Sequence, residues 1–500
     1  MRDSSLFILL ALPRLVYIYL TEQVGGDTAL YSQVASNILN GCGFSASHGT
    51  DPCTPLVGGY FPAYPYLIAL LKFLDLSDKS IALLIGIGFV ISILYLRRSL
   101  EIALENSSLA LWISIGVGLS PLNLGFSRLL LIEPILVVFS ILLISQLLLI
   151  IHRKKRLDMV IGVGLIALST YFKPTAIIFV VPFCLAILMA LGLKRSFKSL
   201  LITGVTLFLM VLPWELRTWS LSGQSLLSAQ SNIYPPTKNY QSWVHSWAIT
   251  EYENAHATFP AFSNGSFWIG KTLDDVVIRS NRFLSDTEAK EALAILEQHR
   301  LQNQQWTEEL DQRFNVLLRM RSERQTLFDY LTLRILQVGS VLLHPANSWG
   351  FPLSLSLKSS SNNPTHILGA NITAEMFPQL LGKLALFLYR IIILSVFSFA
   401  VLRLVWHLLT LLSKEWGANK NRDFTLAPLN DGQVVTGFAL STLAAAVGLF
   451  IFIFNGNYHY YLTYSMPWVE VSAFYFLYHK IRNKAGSKNA PRQRSMNYRR

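Results

Sequence analysis

The sequence predicts an all-α polytopic membrane protein of about ten transmembrane helices, with outer-surface helices and a small external cap domain. Three observations predict it. Hydrophobic residues make up 52% of the chain and charged residues only 14%, with a mean hydropathy of +0.41. Ile- and Leu-rich runs recur, several near the roughly 20 residues a helix needs to cross the hydrocarbon core. Lys and Arg gather in alternate short loops, the pattern that sets membrane orientation. The net charge of +13 would suggest nucleic acid in a soluble chain. Here the basic residues serve topology, and nucleic-acid binding is set aside.

Taken in order, the expected spans are 5–20, 80–96, 108–126, 134–151, 157–172, 174–192, 199–214, 384–411, 433–454 and 460–479. An even number puts both termini on one side. The basic loops hold Arg97 and Arg98, then Arg153 to Arg156, then Lys194, Arg195 and Lys198, then Lys414, Lys420 and Arg422. With the tail from Lys480 to Arg500 they read as cytoplasmic. The first apolar run, Leu6 to Leu20, has no small-residue cleavage site and reads as a retained span. It is short and abrupt, which suggests a start placed too late. The apolar stretch 62–74 is shorter than a span, and counting it as one would put His152 to Arg156 outside. It therefore reads as a helix on the outer surface, with Tyr60, Phe61, Tyr64 and Tyr66 as interfacial aromatics.

The expected organisation is an N-terminal membrane module (1–214) with its first external loop at 21–79, an external cap (215–377), C-terminal spans (378–480) and a basic cytoplasmic tail (481–500). Within the cap, Ser285 to Glu288 fits a capping box. Trp306, Leu310, Phe314 and Leu317 follow at helical spacing. Residues 325–343 read as an amphipathic helix resting on the membrane, and Ser354 to Thr365 as a loop. Asn264 and Asn371 open external N-glycosylation sequons.

In such a protein, ionisable residues at the outer ends of spans carry the functional information. Those are Asp27, Arg128, Glu133, Lys173, Glu215 and Arg217. Asp27 follows a glycine pair, and Tyr31, Ala35 and Ile38 predict a short helix after it. Asp27 reads either as that helix's N-cap or as a general base. Arg128 and Glu133 read either as an ion pair or as separate site residues. For Arg128 and Lys173 the bland alternative is snorkelling. Carboxylates beside cations suit transfer of a group from phosphate: a carboxylate takes the acceptor's proton, and cations neutralise the departing phosphate. A metal is a further option, with Asp27, Glu133 and His48 as candidate ligands; a lone exposed His is more often inert. Cys184 reads as packing, while Cys42 and Cys53 share the first loop and can pair if that side is oxidising.

The order of these motifs resembles the GT-C fold glycosyltransferases, in particular bacterial relatives of protein O-mannosyltransferases and of aminoarabinose transferase. The matching pieces are Gly26-Asp27 with Tyr31 and Gly41-Cys-Gly43, then Phe61-Pro-Ala-Tyr-Pro65. Ser127-Arg128 through Glu133-Pro134, Phe172-Lys173-Pro174, and Pro213-Trp214 with Arg217 complete the five. The likeness runs from about 14 to 245, with Asn457-Tyr-His-Tyr-Tyr461 and Met466-Pro467 resembling a late tyrosine-bearing loop. Thr28 stands where many relatives have a second acid, and Asn457 where many have an arginine.

The resemblance implies a GT-C bundle and a polyprenyl-phosphate-linked sugar donor, with inverting transfer on the external face of a bacterial inner membrane. Asp27 would be the general base, and Glu133 would orient the acceptor or help bind a divalent metal. Arg128, Lys173 and Arg217 would hold the donor phosphate. Tyr31, Tyr60, Tyr458 and His459 would contact substrate. The acceptor is left open among lipid, glycan and protein. The rival readings are a transporter or flippase, which would show inverted repeats, and a polymerase or ligase of lipid-linked glycans. A non-catalytic homologue that binds the same lipid-linked sugar is a further alternative.

Overall fold

The computed structural model describes residues 2–21, 28–48, 51–57, 61–225, 238–250, 280–302, 306–343, 387–399 and 466–478, with isolated positions between 253 and 402. Its architecture is helical, with one small hairpin. Helix α1 (Asp3–Leu20) leads to α2 (Thr28–Leu39), the antiparallel strands β1 (Ser45–His48) and β2 (Asp51–Pro55), and α3 (Ala63–Phe73). Next come α4 (Asp78–Leu104), α5 (Ser107–Gly118), α6 (Pro121–Phe126), α7 (Ile132–Arg153) and α8 (Arg156–Phe172). A 3₁₀ turn (Pro174–Phe179) opens α9 (Val180–Leu191), and α10 (Leu193–Ser222) follows.

Five described helical segments are long and apolar enough to cross a membrane: α1, α4, α7, the 3₁₀ turn with α9, and most of α10. Helix α7 is the axis of the bundle. Its residues are apolar on every side and buried for nearly its whole length, as expected of a helix without a polar face. Helix α4 packs on it and in turn carries α1 and α5, while α8 and α9 cover the other side. Ion pairs mark how the helices run. Asp3 opens α1 and meets Arg97 and Arg98 near the end of α4, each at 2.9 Å. At that same end Gln146 of α7 donates to the Asp158 carbonyl of α8 at 2.9 Å. The opposite end gathers the start of α7, the end of α8, α2 and α3.

Three expected spans differ in detail. The run 108–126 is two helices, broken at Leu119 and Ser120. Pro121 starts α6 where its missing N–H costs nothing, and the Ser120 hydroxyl donates to the Glu470 carboxylate at 2.5 Å. The run 199–214 continues through Pro213 to Ser222, past the expected module boundary. Pro213 has no N–H for the preceding turn, and there the Tyr171 hydroxyl donates to the Met210 carbonyl. The run 174–192 starts as a 3₁₀ turn because Lys173, preceding proline, is extended (φ −149°, ψ 126°). The expected span 433–454 lies outside the described residues.

A helix over 466–478 returns to the bundle, with the Trp468 indole donating to the Ser140 hydroxyl of α7 at 2.6 Å. Glu470 on that helix also accepts from Asn123 at 3.1 Å and from the Tyr389 hydroxyl at 2.8 Å.

A second hydrophobic core is formed by α11 (Lys238–His245), α12 (Asp286–Leu301) and α13 (Glu308–Arg324). The predicted stripe is its centre: Trp306, Leu310, Phe314 and Leu317 are all buried, with Trp306 just ahead of the helix. Half of the capping box forms. Ser285 Oγ accepts the Glu288 N–H at 3.2 Å, but the Glu288 carboxylate accepts from Leu284 N–H and Arg321 rather than from the cap residue. Helix α14 (Leu327–Leu343) presents Leu327, Phe328, Leu331, Ile335 and Leu336 to the outside. That is the amphipathic helix expected over 325–343. Ser354 to Thr365 and both sequons lie outside the described residues.

Candidate active site

Glu133 lies in the first turn of α7, followed by Pro134. A carboxylate there faces the positive end of the helix dipole, and proline is tolerated in a first turn. Glu133 is buried, 6% exposed. Helix α8 runs antiparallel to α7, so its last residues arrive beside this turn. The Lys173 ammonium donates to Glu133 Oε1 at 2.7 Å. The buried carboxylate is therefore neutralised by the lysine–proline step, not by Arg128.

Arg128 instead lies close enough to Tyr17 of α1 for its charge to act on that hydroxyl. It sits at the same end of the bundle, in the segment that joins α6 to α7. Of the two alternatives for Arg128 and Glu133, the ion pair between them is not the one formed: Glu133 pairs with Lys173.

The first loop enters through α2 and α3. The short helix expected from Tyr31, Ala35 and Ile38 forms as α2, with Tyr31 and Ala35 buried and Ile38 half-buried. The Thr28 hydroxyl donates to the Leu130 carbonyl at 3.2 Å, which fixes the first residue of α2 against the segment leading to Glu133. Tyr31 meets Tyr64 of α3 edge to face, with ring centroids 5.0 Å apart. Tyr64 in turn lies 6.4 Å from the ring of Phe172, the neighbour of Lys173. The Tyr64 hydroxyl is fully buried and has no hydrogen-bond partner among the described residues. Burial, with the Glu133 charge adding to it, raises that hydroxyl well above the ordinary tyrosine range. Sequence reasoning placed Tyr64 among interfacial aromatics and missed this position. Its signal was the i+4 relation to Ile68, which is buried with it on α3.

Arg217 is occupied with the hairpin. It donates to the carbonyls of Leu56 at 3.0 Å and Phe44 at 3.3 Å, and its guanidinium lies 4.4 Å from the Trp214 ring centre. Two of its donors thus clamp the first loop onto α10 rather than pointing at a phosphate. The hairpin is closed by a Cys42–Cys53 disulfide with Cα atoms 5.2 Å apart, an ordinary spacing for the bond. His48 ends β1, opposite Asp51.

Asp27, Tyr60, Tyr458 and His459 lie outside the described residues. Among the described residues no group of three His, Cys, Asp or Glu converges as a metal site. Of the candidate ligands, Glu133 already has the Lys173 ammonium on one oxygen.

What the described residues assemble is a buried carboxylate, a lysine on it, an arginine in the adjoining segment, and an aromatic wall of Tyr31, Tyr64 and Phe172. Such a set can bind an anion beside an apolar group and orient a hydroxyl. Comparison with protein-family models, curated proteins and solved structures finds no match to this chain.

Proposed function

We propose that the chain is an integral membrane glycosyltransferase of GT-C type, moving a sugar from a polyprenyl-phosphate donor to an acceptor hydroxyl at the Glu133 end of the bundle. The observation that carries the reading is the Glu133–Lys173 pair at 2.7 Å. The start of the first-loop helix is held against the segment just before it through Thr28 and Leu130. Asp27 directly precedes Thr28 in the chain, so the proposed base belongs to the loop that this contact anchors.

In this reading the acceptor oxygen attacks the anomeric carbon as the bond from that carbon to the phosphate oxygen breaks. Asp27 takes the acceptor's proton, and the polyprenyl phosphate departs with the bonding electrons. Attack opposite the leaving group inverts the anomeric carbon, as one base on that face requires. Arg128 and Lys173 stabilise the phosphate charge that develops, and Glu133 holds Lys173 in place. Tyr31 and Tyr64 wall the sugar. A divalent metal finds no three-residue ligand set among the described residues, and no step is routed through one. The basic end that carries Arg97, Arg98 and Arg153 faces the cytoplasm, with both termini there. The α11–α13 core forms part of the external cap and selects the acceptor, with the apolar side of α14 on the membrane surface.

The test is to incubate the purified protein with a panel of polyprenyl-phosphate sugars and follow release of polyprenyl phosphate. Turnover of at least one donor, lost in Glu133→Gln and in Asp27→Asn, is expected. A panel in which no donor is bound or consumed would overturn the reading.

A further inference from the structure

The turn between α7 and α8 carries four consecutive cations, Arg153, Lys154, Lys155 and Arg156, and all four are exposed. None of them forms an ion pair among the described residues. The carboxylates described at this end are engaged elsewhere. Asp3 and Glu101 hold Arg97 and Arg98. Asp158 turns inward, where Gln146 donates to its carboxylate at 3.2 Å, and the charge of Glu105 acts on His152. Helix stability does not ask for these cations. Lys155 and Arg156 stand at the start of α8, the positive end of the helix dipole, where a cation is disfavoured.

Helix α10 brings a second set of cations to the same end. It packs on α8, and the far parts of the two helices share Phe61, whose ring lies 6.5 Å from both Tyr171 and Trp214. Tyr171 also donates to the Met210 carbonyl, and these residues lie about equally far along their helices. The two helices therefore run parallel, with both starts at the basic end. There Arg195 and Lys198, in the first two turns of α10, are exposed and form no ion pair among the described residues. Beside and beyond both sets of cations the exposed surface is apolar, with Leu157, Val160 and Ile161 on α8 and Phe197 and Leu201 on α10. Positive charge at one level and exposed apolar side chains leading away from it match a phospholipid, anionic at its head and apolar along its tails.

We propose that the α7–α8 turn and the start of α10 form one binding surface for the headgroup of an anionic phospholipid of the surrounding bilayer. Guanidinium and ammonium groups donate to phosphodiester oxygens, and basic residues beside a span attract anionic lipid. The orientation rule asks only that positive charge lie on one side. It does not ask that two helices bring unpaired cations together at their starts. A lipid fits better than a soluble anion because exposed apolar side chains lie next to the cations on both helices. This end of the bundle lies opposite the Glu133–Lys173 pair, so the inference does not depend on the proposed transfer reaction.

The test titrates the full chain in nonionic detergent with phosphatidylglycerol or with phosphatidylcholine, and reads bound lipid by native mass spectrometry. Wild type is expected to bind phosphatidylglycerol at least about tenfold more tightly than phosphatidylcholine. That preference should fall toward equality when Arg153→Gln, Lys154→Gln, Lys155→Gln and Arg156→Gln are combined. The pair Arg195→Gln and Lys198→Gln should lower it as well, and this variant keeps the turn charges if the fourfold variant inserts wrongly. A control with Lys290→Gln, Arg319→Gln and Arg324→Gln removes exposed cations from the cap and should keep the preference. Equal binding of the two lipids by wild type overturns the proposal. So does a preference that survives in both variants, or one that falls as far in the cap control. Displacement of phosphatidylglycerol by an equal concentration of glycerol phosphate overturns the lipid as occupant.

Discussion

The Lys173 ammonium and the buried Glu133 carboxylate form an ion pair of 2.7 Å that ties the end of α8 to the start of α7. Lys173→Met leaves a carboxylate that is almost fully buried without its cation. The expected loss is about 3 kcal/mol, in the range for breaking a buried pair. Glu133→Gln costs less, because a lysine at a helix end can turn toward water. The double variant recovers most of the loss, and a double-mutant cycle of thermal unfolding measures the coupling. All three variants are expected to lose transfer activity.

Arg217 holds two carbonyls of the first loop with one planar group. Arg217→Lys cannot reproduce that fork. Both Arg217→Lys and Arg217→Ala should speed proteolytic cleavage within 45–55, read as the rate at which the band is lost. Donor binding should change little, since its donors face the hairpin.

The Cys42–Cys53 bridge closes a short loop. Replacing both cysteines by serine should lower stability by about 3 kcal/mol from loop entropy alone. In unreduced, denatured wild type, only Cys184 should take up an alkylating reagent, checked by mass spectrometry.

The α11–α13 core should weaken in acid. Burial, with Arg334 nearby, holds His245 down to about 4. The unfolded chain, with an ordinary value near 6.5, binds that proton more readily between the two. Stability present above 6.5 is therefore lost as pH falls toward 4, by at most about 1.4 kcal/mol per pH unit for one proton. His245→Gln should flatten that part of the profile of melting temperature against pH.

Orientation is tested at the turn between α7 and α8. With Cys184→Ser in place and the disulfide intact, Lys155→Cys should react with an impermeant thiol reagent only after the membrane is opened. Labelling of intact cells would reverse the proposed topology.

Much of the frame was legible because it rests on local rules. Helix α2 after the glycine pair, α3 over 62–74 and the stripe around Phe314 follow from apolar spacing and turn residues. The break at Leu119 and Ser120 had a local signal in Pro121, although the sequence reading ran one span through it. What was not legible is the partner of Ser120, Glu470, which lies 350 residues away in sequence. The partner of Glu133 was open for a similar reason: Arg128 was nearer in sequence, and only the antiparallel packing of α8 on α7 brings Lys173 to it. Arg217 looked like a phosphate ligand because sequence gives charge and position but not the direction of a guanidinium.

In the proposed mechanism the first loop supplies the base for transfer from a lipid phosphate. The most direct measurement is single-turnover release of polyprenyl phosphate from a bound donor by wild type and by Asp27→Asn. The predicted result is a rate about 10² to 10⁴ lower in Asp27→Asn, the usual contribution of a general base, with donor affinity little changed. Equal rates in the two proteins would contradict the claim.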